Sequence, residues 1–206
     1  VSTGSGDGEI YFKPAASAPI AFRFADALRD DGADVVERLT KAGYHVEVLS
    51  GDSSAPVASM AKEAGIGTWL AGQRPDQKIA RLEALKAEGR KVLMVGDGLN
   101  DAPALAAAYA SLSPAAAADI SQTAADAIFQ GAKLQPIIEF LSVAKASHKL
   151  ALQNFALAVG YNVIFVPLAM AGLVTPLLAA IAMSASSISV TVNAVRLKSQ
   201  DLELTP

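Results

Sequence analysis

Between Lys149 and Arg196 the chain carries no Asp, Glu, Lys or Arg. Two apolar runs, 150–171 and 176–195, fill that interval. Each is ~20 residues and so ~30 Å long as a helix, which matches the hydrocarbon core of a bilayer. The competing fold is a buried hairpin in a soluble protein, but apolar runs of this length are rare in soluble cores. The connection Gly172-Leu173-Val174-Thr175-Pro176 is short and uncharged. Lys145 and Lys149 precede the first run, and Arg196 and Lys198 follow the second. Because cationic flanks stay on the cytoplasmic side, the pattern predicts a transmembrane hairpin with both termini cytoplasmic and the turn outside. The lipid bilayer is then a partner of the chain.

The charged residues, 18% of the whole, are thereby concentrated in the remainder of the chain. There strands and helices alternate. The pattern predicts strands over 20–26, 44–49 and 91–95, helices over 34–41, 55–64 and 77–88, and two further short strands over 109–112 and 127–129. Gly89 is the C-cap of the third helix. The Ala-rich tract 114–119 reads as a loop or helix turn, and Gly4-Ser5-Gly6-Asp7-Gly8 as a flexible linker. Repeated β-α order implies an α/β, doubly wound parallel sheet with right-handed crossovers, which gathers Ser50, Lys78, Asp97 and Asp101 at one edge. A helix over 134–149 then runs on toward the membrane. The formal charge of −3 and the lack of a basic cluster give no basis for nucleic-acid binding. With no cysteine, the chain has no disulfide, thiol nucleophile or thiolate metal site. His45 and His148 are isolated and read as ordinary surface or boundary histidines.

Chemistry concentrates in Met94-Val95-Gly96-Asp97-Gly98-Leu99-Asn100-Asp101-Ala102-Pro103-Ala104-Leu105. A short buried strand ends in glycines that allow a tight turn, and Asp101 opens a helix. Asp97 and Asp101 then face the carboxyl end of a strand, where open α/β sheets place ligands. One or two carboxylates plus a phosphoryl oxygen make a reasonable Mg²⁺ site, since that ion keeps several waters.

The run is similar to the G-D-G-x-N-D-x-P hinge of P-type ATPases, membrane pumps whose phosphorylation domain is haloacid-dehalogenase-like. The resemblance implies that Asp97 and Asp101 hold Mg²⁺ beside an aspartyl phosphate, with Asn100 completing the loop. Ser50-Gly51-Asp52 resembles the T/S-G-D motif of the same pumps, with the Ser50 hydroxyl placed to bond a phosphoryl oxygen. Lys78, in Arg74-Pro75-Asp76-Gln77-Lys78, corresponds to the lysine that offsets phosphoryl charge.

The D-K-T-G-T motif that carries the phosphorylated Asp in these pumps does not occur in the chain. The expectation is therefore a C-terminal portion of a longer pump, holding the Mg²⁺ side of the phosphoryl site but not its nucleophile. Its parts are 1–19, a linker or the end of a preceding nucleotide-binding domain; 20–133, the incomplete haloacid-dehalogenase-like domain; 134–149, a connecting helix; 150–196, the hairpin; and 197–206, a cytoplasmic tail. The remainder of the pump, with its actuator domain, nucleotide-binding domain and other membrane helices, becomes the main partner, and ATP is bound mainly outside this chain.

Tyr161 and Asn162 lie midway along the first apolar run, and Met183, Ser184, Ser186 and Ser187 midway along the second. Tyr161 and Met183 are each ~17 Å from the cytoplasmic end at the helical rise, hence at one level. Polar groups at that depth favour a functional reading, although Ser and Asn also serve as helix-packing glue. For Ser184, Ser186 and Asn193 the two readings stand side by side. Tyr-Asn followed by M-x-x-S-S resembles copper(I)-transporting heavy-metal ATPases, which implies Tyr161, Asn162, Met183 and Ser187 as ligands of transported Cu(I) or Ag(I). A soft thioether suits such an ion. Ser111-Leu112-Ser113-Pro114, Val166-Pro167 and Thr175-Pro176 narrow the resemblance to the bacterial nitrogen-fixation-associated cation pumps that supply copper for cytochrome oxidase assembly. That resemblance implies the cell (inner) membrane as the location of the hairpin. A truncated, non-catalytic Mg²⁺-binding membrane remnant is the alternative of another class. A soluble phosphatase is the third, with no use for the hairpin.

Overall fold

The computed structural model describes residues 9–13, 19–23, 28–97, 99–199 and 204. The expected linker at Gly4 to Gly8, the end of the first expected strand and Gly98 lie outside the described residues. The chain divides into two compact units, Val1–Ile138 and Glu139–Thr205.

In the first unit, strands β1 (Glu9–Phe12) and β2 (Ile20–Arg23) pair antiparallel, with Ile10 opposite Phe22. Part of the segment expected as linker is thus a strand. There follow α1 (Gly32–Lys41), β3 (Glu47–Leu49), α2 (Ser54–Glu63), β4 (Thr68–Leu70), α3 (Pro75–Ala87) and β5 (Leu93–Val95). A single 3₁₀ turn, Leu99–Asp101, leads into α4 (Ala102–Ala107), β6 (Ala110–Pro114), α5 (Asp119–Ala124) and β7 (Ala127–Phe129). Every β3-to-β7 pairing is parallel, as the β-α alternation requires. Among the described residues these five parallel strands form two ladders, β3-β4 and β5-β6-β7, rather than one continuous sheet. The fold is a parallel-stranded α/β domain accompanied by two apolar helices long enough to cross a membrane.

Helix α3 starts with Pro75 at its first turn, where a missing amide costs nothing, and the Gln77 Oε1 accepts a hydrogen bond from the Arg74 amide at 2.9 Å. It stops at Gly89, whose φ of +80° only glycine adopts without strain. Leu82 of α3 packs with Met94 of β5 and with Ala104 and Leu105 of α4, all buried. Small residues on α4 let α3 approach closely, and that approach positions the site.

Helix α6 (Gln135–Met170) is one uninterrupted element in which the expected connecting helix runs on into the first apolar run. Its amino end is held within the first unit. Asp31 Oδ2 accepts from the Leu134 and Gln135 amides at 2.7 and 2.8 Å, and Arg38 donates to the Gln135 Oε1 at 2.7 Å. These bonds satisfy amides that a helix start otherwise leaves open. Helix α7 (Pro176–Val195) is N-capped by Thr175, whose hydroxyl accepts from the Leu178 amide.

Candidate functional site

The site grows from the carboxyl ends of β3 and β5. β3 delivers Ser50, whose amide bonds the Leu70 carbonyl at 2.9 Å and whose carbonyl accepts from the Gln73 amide at 2.8 Å. The loops after β3 and β4 are therefore zipped together. The Ser50 hydroxyl donates to Asp52 Oδ2 at 2.7 Å and accepts from the Asp52 amide at 3.1 Å, a closed turn on the exposed rim. Gly51 and Asp52 are exposed.

β5 delivers the second half. The Gly96 amide bonds the Leu112 carbonyl of β6 at 3.2 Å, and the Asp97 carbonyl accepts from the Ala118 amide at 3.3 Å. A side chain at position 96 would put its Cβ 2.8 Å from Asp101 Cβ, a separation that real structures do not tolerate. Gly96 is what lets the chain double back so that Asp97 and Asp101 share one loop. Lys78, on the first turn of α3, reaches across to Asp101 with Nζ 2.6 Å from Oδ1. Both groups are largely removed from water, at 8% and 14% side-chain exposure. A buried charge needs such a partner, and the α3–α4 packing supplies it. Asp97, by contrast, is 67% exposed, with Arg29 Nη2 3.9 Å from its Oδ2. Asn100 sits exposed in the 3₁₀ turn.

The structure therefore joins Lys78 to Asp101 directly, leaves the Asp97 carboxylate open to solvent, and ties Ser50 to Asp52 in a turn of its own. Sequence reading paired Asp97 with Asp101 as ion ligands and did not find the Lys78–Asp101 bond. The residues suit Mg²⁺: the loop offers hard oxygen donors only, and one exposed carboxylate beside a second, cation-held one leaves room for water and a phosphoryl oxygen. Arg29, also missed, bridges Asp97 to the approach of α6 by donating Nη1 to the Ala132 carbonyl at 3.0 Å. No local signal marks a contact across so many intervening residues. Nearby, burial raises the Asp31 pKa, but the Leu134 and Gln135 amides outweigh it and hold the carboxyl below its usual value.

The second unit holds the other candidates. Its less exposed positions recur at Leu150, Asn154, Ala158, Tyr161 and Phe165 on α6, and at Ala179, Ala182, Ser186, Val190, Asn193 and Leu197 toward the end of the chain. Asn193 Nδ2 donates to Asn154 Oδ1 at 2.9 Å, which puts these two residues opposite each other. Counting away from that pair sets Tyr161 opposite Ser186 and Phe165 opposite Ala182. Tyr161 is thus a seam residue, its ring stacked on Phe165 with centroids 4.7 Å apart. Met183 falls opposite Ile164, ~4.5 Å along the axis from Tyr161 at the helical rise, not at its level.

Asn162, Met183 and Ser187 each follow a seam position by one residue and are exposed. In two antiparallel right-handed helices a one-residue step turns toward the same side of the pair. All three consequently open on one face of the hairpin. Asn162 is bonded through Nδ2 to its own helix, at the Ala158 carbonyl. Pro167 has no amide for the Val163 carbonyl, so the helix ladder is interrupted next to Asn162.

An exposed carboxylate after β5 and a lysine on the first turn of α3 meet at one loop of a parallel β-α unit, and residues 6–108 match the haloacid dehalogenase-like hydrolases. The chain belongs to that family. More narrowly, it is homologous to the nitrogen fixation protein FixI of Rhizobium leguminosarum bv. viciae, with 50% identity over 176 residues, 85% of this chain and 23% of that protein. It is also homologous to the probable copper-exporting P-type ATPase V of Mycobacterium tuberculosis, at 37% identity over 84% of this chain and 23% of that protein. Among solved structures, a zinc-transporting PIB-type ATPase in the E2.Pi state superposes with a TM-score of 0.81 at 29% identity, over 92% of this chain and 32% of the other. The chain spans about a quarter of the length of the curated relatives it matches.

Proposed function

We propose that this chain forms the Mg²⁺ side of the phosphoryl site and a membrane hairpin of a P-type ATPase that moves Cu(I) or Ag(I) out of the cytoplasm, with cytochrome oxidase assembly as the use of the copper. The carrying observation is the Lys78–Asp101 pair set beside exposed Asp97, because it preassembles positive and negative charge around one open oxygen-rich loop. Asp97 is the residue that would hold Mg²⁺, which when bound neutralises charge on a phosphoryl group. Lys78 is fixed by Asp101, so its ammonium is positioned at no further ordering cost when an anionic group arrives. Ser50 presents a hydroxyl that exchanges its Asp52 partner for a phosphoryl oxygen. Asn100 lines the rim of the same loop, and Gly51 and Asp52 shape the turn.

The phosphorylated Asp comes from another part of the pump, as does most of the ATP site. Among the described residues β3 pairs with β4 alone and β5 with β6 alone, so each keeps an edge on which a further parallel strand fits. The domain boundaries are those of the sequence reading with the connecting helix and first span merged. Both apolar helices cross the bilayer, with both ends of the hairpin cytoplasmic.

Copper rather than zinc follows from the donors. Between positions 150 and 195 there is no His, Cys, Asp or Glu, the usual zinc ligands, whereas Met183 offers a thioether on the same face as the Asn162 and Ser187 oxygens. Tyr161 supports that face from the seam. The test is metal-stimulated ATP hydrolysis by the pump that contains this chain, with Cu(I), Ag(I) and Zn(II) compared. Stimulation by Cu(I) and Ag(I) is expected. Stimulation by Zn(II) alone overturns the cargo assignment, and no hydrolysis with any ion supports an inert remnant.

A further inference from the structure

We propose that Asn193 is a positioning residue that sets the register of α6 against α7, and thereby brings Asn162, Met183 and Ser187 within one helical turn of each other on one face of the hairpin. Asn193 is the buried residue of α7, at 9% exposure in a helix that is otherwise open. Both ends of its amide are engaged: Nδ2 donates to Asn154 Oδ1 at 2.9 Å and lies 3.4 Å from Gln153 Oε1, and Oδ1 accepts from Arg196 Nη1 at 3.3 Å. Asn162, Ser184, Ser189 and Thr191, by contrast, bond carbonyls of their own helix and so give no register information.

The rest of the seam cannot do this work. By the same count Ala158 is level with Ser189, whose hydroxyl bonds its own helix, and Phe165 with Ala182; such pairings slide in lipid, where no hydrophobic force favours one offset over another. A slip of the Asn193–Asn154 pair, however, breaks a hydrogen bond between the helices and leaves a buried amide without that partner. One buried Asn is known to fix the register of paired helices in this way.

Register matters because of where the three donors fall. With Asn154 opposite Asn193, position 162 is level with 185, so Met183 and Ser187 lie ~3 Å to either side of Asn162 along the axis. A slip of one turn, ~5.4 Å, carries one of them ~8 Å from Asn162 and breaks the cluster. The link from register to cargo rests on the proposed reading of these residues; the register itself does not.

The native chain has no cysteine, so engineered pairs report the register without interference. Phe165→Cys with Ala182→Cys is in register, and Phe165→Cys with Ser186→Cys is one turn off. In the full chain in lipid nanodiscs, iodine oxidation should cross-link the first pair ~10-fold faster, the preference expected of a register gap of about one tenfold factor in equilibrium. Adding Asn193→Leu should collapse that preference to under ~3-fold, and Asn193→Gln, which keeps the amide, should restore most of it. An undiminished preference in Asn193→Leu overturns the proposal. In the intact pump, Asn193→Leu should raise the KM for Cu(I) while phosphorylation by inorganic phosphate persists. A lost register with an unchanged KM overturns the link to the cargo and leaves the register role standing. Failure of Met183→Ala to alter Cu(I) dependence instead refutes the cargo site itself, at intact register.

Discussion

Lys78→Met removes the ammonium while keeping the length and most of the volume of the side chain, and leaves the Asp101 carboxylate in a pocket where its side chain is only 14% exposed. Two unit charges at contact attract by on the order of 4 kcal/mol at the effective dielectric of ~20 that suits protein sites. Desolvation of both groups offsets part of this, and breaking a buried pair by deleting one partner costs ~3–5 kcal/mol. Because Asp101 keeps some contact with water, the lower end applies: about 3 kcal/mol, roughly 10 °C in melting temperature for a unit of this size. Asp101→Asn should cost less, since a neutral amide still accepts from Lys78. Lys78→Met combined with Asp101→Leu should recover much of the loss, as both charges then leave together. Trp69, the single tryptophan, lies on β4 inside the α/β unit, so its fluorescence follows unfolding of that unit within the full chain. A penalty below ~1 kcal/mol for Lys78→Met, or costs that merely add in the double variant, would show the pair to be incidental and remove the argument that it is preassembled.

Gly96→Ala should cost ~1–3 kcal/mol by overpacking, because its Cβ lands 2.8 Å from Asp101 Cβ; the same variant should weaken Mg²⁺ binding measured by calorimetry. Asp31 has a depressed pKa, so its contribution to stability is present above the unfolded carboxyl pKa and disappears as pH falls through the lower folded value. Asp31→Asn should therefore destabilise by ~1–2 kcal/mol at pH 7, with the difference from wild type shrinking below about pH 4 in thermal melts; a constant difference contradicts the capping role. Asp97→Asn should leave stability within ~0.5 kcal/mol, as expected at an exposed site, yet abolish turnover of the intact pump; retained turnover would refute Asp97 as the ion's holder. Met183→Ala should lower Cu(I)-stimulated hydrolysis while phosphorylation by inorganic phosphate continues, and equal loss of both would mean that the protein is misfolded rather than the cargo site emptied.

Much of the fold was legible because its signals are local. Glycine, Asp and Pro after an apolar run mark β5, its turn and α4 within a dozen residues, and the missing charges mark α6 and α7. The strands β1 and β4 escaped notice: β1 follows the Gly-Ser-rich stretch read as linker, and Gly67 beside Thr68 to Leu70 reads as loop. The run of α6 toward the membrane was legible as well: Lys145, His148 and Lys149 interrupt the apolar pattern without breaking the helix, since lysine is a good helix former.

The candidate residues divide in the same way. Motif order, read through the resemblance to P-type ATPases, supplies Ser50, Lys78, Asp97, Asn100 and Asp101 as a set, and Tyr161, Asn162, Met183 and Ser187 as another. They do not say that Lys78 closes on Asp101, that Arg29 approaches Asp97, or that Tyr161 turns into the seam while the other three face outward. Those facts depend on how α3 packs on α4 and on where one buried amide stops α7 against α6. Residue type and spacing set the chemistry a chain can offer, because dihedral preference, charge and side-chain donors are properties of short segments. Which donors meet is decided by close packing between distant segments, where fractions of an ångström and a single satisfied hydrogen bond separate one arrangement from the next.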